Sequence, residues 1–121
     1  MDIRDLMIGD WVNVPKLNKP VRVDAVYRTM IMPNPDDDDV HSLIGDEYLE
    51  PIPLTEKILE YNFATEPQIS WCVGWNRKDD IHIEIKREDI NAAFYGVIAY
   101  VHQLQHSLAI CGINKEIKLE V

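Results

Sequence analysis

Two imidazoles four residues apart give this chain its sharpest chemical possibility. In His102-Gln-Leu-Gln-His106 both rings fall on one helical face, because an α-helix turns about 100° per residue and positions i and i+4 are surface neighbours. This is the spacing of the paired ligands in His-Glu-x-x-His zinc hydrolases. The glutamate that acts there as general base is replaced by Gln103, and a carboxamide cannot take up a proton. Hydrolysis by that route is disfavoured. A metal would also need a third ligand from elsewhere, with His82, Glu84 and Asp89 as candidates, since catalytic zinc sites use three protein ligands. The expectation is two solvent- or interface-facing histidines, with no cofactor and no metal.

Nucleophilic chemistry has less support. Ser42, Ser70, Ser107, Cys72 and Cys111 lie in no recognisable elbow or oxyanion-forming turn. Glycines at 9, 45, 74, 96 and 112 are too dispersed for a phosphate loop. Asp36 to Asp39 invite a calcium reading, but His41 stands where an EF-hand loop starting at Asp36 requires glycine. A solvated acidic loop is expected there, and the balance is against an enzyme.

The element that must position the histidines is the clearest in the chain. On a helix, Tyr100, Val101, Leu104, Leu108 and Cys111 gather into one apolar arc, the stripe of a helix docked on a core. Gly112 follows as a C′ residue able to adopt the left-handed conformation. His102, Gln103, His106 and Ile110 lie away from the arc, and Gln105 borders it. The candidate binding surface is therefore His102, Gln103, Gln105 and His106, with Trp11 as a further aromatic contact. Ile110 on the far side leaves a homodimer contact open.

The stretch Tyr100-Val-His-Gln-Leu-Gln-His106, with Leu108, Cys111-Gly-Ile113 and Lys115-Glu-Ile117, resembles the C-terminal signature of a family of short, uncharacterised bacterial and phage-associated proteins. Two further blocks of that family are Ile8-Gly-Asp-Trp-Val12 and Glu50-Pro-Ile-Pro-Leu-Thr-Glu-Lys-Ile-Leu59. The resemblance covers most of the chain in order and implies a phage or mobile-element setting, with no activity to carry over. Asn62 stands where the family often has glycine, and His106 where many members have asparagine. The second departure weakens any role that needs His106.

The surrounding elements read as α+β with a mostly antiparallel sheet. Gly9-Asp10 turns into Trp11-Val-Asn-Val14, and Val21, Val23 and Ala25 alternate with polar residues as in a half-buried strand. Thr29 to Met32 is a third strand, and 40–52 returns to the sheet. This opening resembles small SH3-like barrels. Thr55 is a good N-cap for a helix over 55–61, with Leu54 and Leu59 in staple positions and Asn62 closing it. Ile69, Trp71, Val73 and Trp75 then alternate, as do Ile81, Ile83 and Ile85, which predicts a C-terminal β-hairpin with the tryptophans in its core face. A strand over 94–98, the helix over 100–111 and a closing strand over 116–121 complete the order. One domain spans 1–121, divisible into a β part (1–53) and an α+β part (54–121).

The chain's 121 residues carry a formal charge of −9, which argues against nucleic acid, because phosphate neutralisation needs clustered cations. The acidic balance leaves open a basic protein partner. No apolar run approaches the roughly 20 residues of a membrane span, and the start lacks a signal-peptide layout. A cytoplasmic, protein-binding chain is expected, with Cys72 and Cys111 as buried thiols. The runner-up is a small-molecule or metal-binding protein using the His102/His106 rim.

Overall fold

The computed structural model describes residues 1–37, 42–74, 77–78, 80–87 and 92–119. Among these residues, two α-helices and seven strands form two antiparallel sheets, the α+β arrangement expected. They group into two compact units, Met1–Ile52 and Pro53–Val121.

The first unit is a meander of β1 (Trp11–Val14), β2 (Lys19–Val26), β3 (Met30–Pro33) and the two-residue β4 (Ile44–Gly45). Gly9 has φ +95°, a left-handed turn open to glycine, and its N–H donates to Val23 O at 2.7 Å. The Asp10 carboxylate braces the same turn by accepting from Met7 N at 2.9 Å. Period-2 alternation buries Val12, Val14, Val21, Val23 and Ile31 together with Ile44 and Leu49. After β4 a 3-10 turn, Asp46–Tyr48, leads to Glu50. Glu50 exchanges two backbone hydrogen bonds with Asn13 on β1, both 2.9 Å. The sheet thus curls until its end meets its beginning.

Two readings change in this unit. The return over 40–52 is a two-residue strand, a 3-10 turn and a single bridge, because Pro51 and Pro53 lack the N–H groups a longer ladder needs. Asp37 is no solvated loop residue. Its carboxylate accepts from Arg22 Nε at 2.8 Å and from Arg22 N at 2.9 Å. Asp38, Asp39 and His41 lie outside the described residues.

The second unit holds α1 (Glu56–Phe63), the sheet β5 (Ile69–Val73), β6 (Ile81–Arg87) and β7 (Ala92–Val97), and α2 (Val101–Ile110). Thr55 caps α1, its hydroxyl accepting from Ile58 N at 3.2 Å, and Leu54 and Leu59 are both buried. The two helix starts are tied together by a Pro53–Tyr100 bridge, with Leu54 N donating to Ala99 O at 2.9 Å. At the other end of α2, Ile113 N reaches Leu108 O and Gly112 N reaches Ala109 O. With Gly112 at φ +71°, this is the paired-bond helix stop that glycine favours. Arg87 also donates to Gly112 O. Ile69, Ile81, Ile83 and Ile85 share one buried sheet face, and each helix contributes its own buried residues, among them Leu59, Phe63, Val101, Leu104 and Leu108.

Here four expectations are corrected. Helix α1 runs on to Phe63, and Asn62 is a helical, buried residue. Residues 116–119 form no strand; the tail is held by side chains instead. Asn62 Nδ2 donates to Lys118 O, and Asn62 Oδ1 accepts from Lys118 N, both at 2.8 Å. Trp71 is only half-buried on the edge strand β5, and Cys72 is exposed because it alternates to the sheet face opposite the isoleucines. Trp75 lies outside the described residues.

Candidate functional site

The expected histidine rim is an aromatic cluster instead. His102 is 5% exposed, not solvent-facing. Its ring stacks on Tyr100 at 5.9 Å between centroids and 12° between planes, and it meets His106 edge-on at 5.7 Å and 77°. The reason is local: Tyr100, the N-cap residue, lays its ring back along the first turn, so an imidazole that an apolar wheel places outside the stripe is covered by its own neighbours. His106 is half-buried and Ile110 is 78% exposed.

Gln103 serves the backbone. Its Oε1 accepts from Ala99 N at 3.0 Å and from Tyr100 N at 3.1 Å, the reciprocal half of a capping box that satisfies donors at the helix start. Gln105 is half-buried. Trp11 faces Arg22, its cross-strand partner, whose guanidinium carbon lies 5.2 Å from the ring centroid. That arginine is also gripped by Asp37, so the Trp11 surface is built into the fold.

His82 and Glu84 form no metal centre with other described residues. Among the described residues no three His, Cys, Asp or Glu side chains come together as one, and Asp89 lies outside them. His82 and Glu84 occur instead on the face of the second sheet opposite the isoleucines. Cys72 pairs with His82 across strands and Ser70 with Glu84, and the Tyr95 ring lies 6.1 Å from His82. These five residues line a shallow cavity of about 230 Å³.

A different concavity emerges in the first unit. The 3-10 turn Pro15–Leu17, β3, β4 and the 3-10 turn Asp46–Tyr48 enclose a groove of about 260 Å³. Its walls are mostly apolar and include Val14, Leu17, Met30, Leu43, Ile44 and Tyr48. Leu17, Met30, Leu43 and Tyr48 are between 38% and 45% exposed, although Val14 and Ile44 on the same walls are buried. The Lys16 ammonium sits 4.9 Å from the centroid of the Tyr48 ring, within cation–π range. A second cavity of about 160 Å³ continues past Tyr48 and is lined by Pro15, Lys16, Glu47 and Glu50.

None of these groove residues was a sequence candidate. They come from three separated stretches and share no period, so the one available signal was the run of apolar residues around Leu43 and Tyr48 beside a proline-bounded connector. Comparison of the chain with protein-family models, curated proteins and solved structures finds no match.

Proposed function

We propose that this chain is a non-enzymatic protein-binding module, and that its first unit holds an extended segment of a partner protein in the groove beside Tyr48. The observation that carries this reading is the gathering of Leu17, Met30, Leu43 and Tyr48, large and exposed, around one concavity. Scattered exposed apolar residues need no explanation, but a set that converges on a groove marks an interaction surface. The element order supports it. A four-strand meander, a 3-10 turn and a return to the first strand resembles small SH3-like barrels, whose aromatic-lined grooves take extended segments. A phage or mobile-element setting rests on the sequence resemblance alone. No helix is long and apolar enough to cross a membrane.

The test is a photo-reactive side chain placed at position 43 in the full chain, irradiated in the native host, with the same group at position 110 as control. The reading expects a covalent adduct to one protein from position 43 and none from position 110. Equal capture at both positions, or none at either, contradicts it.

A second reading, binding of a small polar molecule, is favoured by the cavity on the second sheet, where a hydroxyl, a thiol, an imidazole and a carboxylate meet a tyrosine ring. Native mass spectrometry of the chain from its host would show a bound mass that Tyr95→Ala loses. An unliganded mass in the wild type counts against this reading.

A further inference from the structure

Resting on the groove reading, we infer that the partner segment carries a large apolar side chain beside a lysine or arginine. The groove has two compartments of different chemistry. The larger, about 260 Å³, is walled by Val14, Leu17, Met30, Leu43 and Ile44. An apolar cavity of about 150 Å³ is enough to hold benzene, so this compartment admits a leucine or phenylalanine side chain together with part of its backbone. The smaller, about 160 Å³, has the carboxylates of Glu47 and Glu50 on its walls.

Lys16, Glu47 and Tyr48 border both compartments and form the ridge between them. Among the described lining residues Lys16 carries the one positive charge of the second compartment, and its ammonium lies over the Tyr48 ring. Glu47 and Glu50 are both exposed, and neither is ion-paired among the described residues. A cation arriving there meets two carboxylates against the single Lys16 ammonium.

The wider field favours the same partner. Residues 1–52 contain eleven Asp and Glu against five Lys and Arg, a formal balance of −6. Such a surface repels acidic segments and steers basic ones. In a polyproline-II backbone, with three residues per turn, successive side chains stand about 120° apart, so one residue can fill the apolar compartment while its neighbour turns over the Tyr48 ridge. Nucleic acid fits neither compartment, since one is apolar and the other acidic.

The experiment selects from a library of random displayed peptides on the immobilised full chain, with Leu43→Asp as counter-target. Enriched peptides are then measured by fluorescence anisotropy on the wild type, on Leu43→Asp and on Glu47→Lys/Glu50→Lys. These three side chains are exposed, so the variants keep the core intact. The inference expects the selected peptides to pair a large apolar residue with Lys or Arg. It further expects replacement of that basic residue by Glu to weaken binding about tenfold at low salt, with the gap closing as salt rises. The double reversal to lysine should invert the preference. Groove-dependent peptides with no basic residue and no response to Glu47→Lys/Glu50→Lys would overturn the inference and leave the groove reading standing. Selection of no peptide that Leu43→Asp abolishes would overturn both.

Discussion

Asn62 and Lys118, 56 positions apart, are joined as two strand residues are, except that one partner is a side chain. The carboxamide of Asn62 donates to Lys118 O and accepts from Lys118 N, both at 2.8 Å, and donates again to Ile58 O at 2.8 Å. Lys115 adds a 3.2 Å ion pair to Glu66 and lies over the Phe63 ring, and Ile117 is buried between these anchors. The tail is therefore docked along the end of α1.

Asn62→Ala should cost about 1–3 kcal/mol, since it strips partners from partly buried backbone groups. Asn62→Asp should cost at least as much, because a carboxylate would face two carbonyl oxygens. Denaturant unfolding gives the loss, and amide exchange at Lys118 should accelerate more than at Val12 in the other unit. Equal stability of Asn62→Asp and wild type would contradict the geometry.

Gln103→Ala should lose about 1 kcal/mol through two unsatisfied N–H groups at the start of α2. Gln103→Glu should retain or slightly raise stability, because a carboxylate accepts the same two bonds and suits the positive end of the helix. That variant recreates His-Glu-x-x-His in sequence. Its expected phenotype is a thermal midpoint at or above wild type and no zinc-dependent ester hydrolysis, read by calorimetry and a chromogenic ester.

His102→Ala should cost about 2 kcal/mol by opening a cavity between Tyr100 and His106, and His106→Ala, half-exposed, should cost less. The His102→Ala/His106→Ala pair separates packing from ligation. Stability should fall, whereas zinc uptake measured by titration calorimetry should match wild type. A stoichiometric zinc site lost in the double variant would restore the metal-binding reading.

The legible parts of the fold were those with a short-range cause. The α2 stripe from Val101 to Cys111, its Gly112 stop, the Thr55 cap and the β5–β6 pairing each follow from a local pattern and are where the sequence places them, whereas Tyr100, expected in the stripe, is the exposed N-cap. The burial of His102 was hidden because an apolar wheel ignores stacking by Tyr100. The tail misled because Ile117 and Leu119 alternate as strand residues do, while the partner that holds them is the Asn62 side chain rather than an edge strand. The groove was invisible for a third reason: Leu17, Met30 and Leu43 meet only once the meander has formed.

Gly45→Ala should narrow that groove without unfolding the unit. Gly45 has ordinary extended dihedrals, φ −70° and ψ 151°, and an added Cβ would stand 3.4 Å from Glu47 Oε1 and 3.7 Å from Tyr48 Cδ2. Those are normal contacts, so stability should change by under about 1 kcal/mol. Peptide affinity should fall, as anisotropy would show. Unaltered affinity would place the bound segment elsewhere.

The most direct measurement is amide shift mapping on the isotope-labelled full chain, titrated with a peptide that pairs a leucine with an arginine. The account predicts shifts at Lys16, Leu17, Met30 and from Leu43 to Tyr48, with Ser70, Cys72, His82 and Tyr95 unmoved. Shifts confined to those four sheet residues, or to His102 and His106, would contradict it.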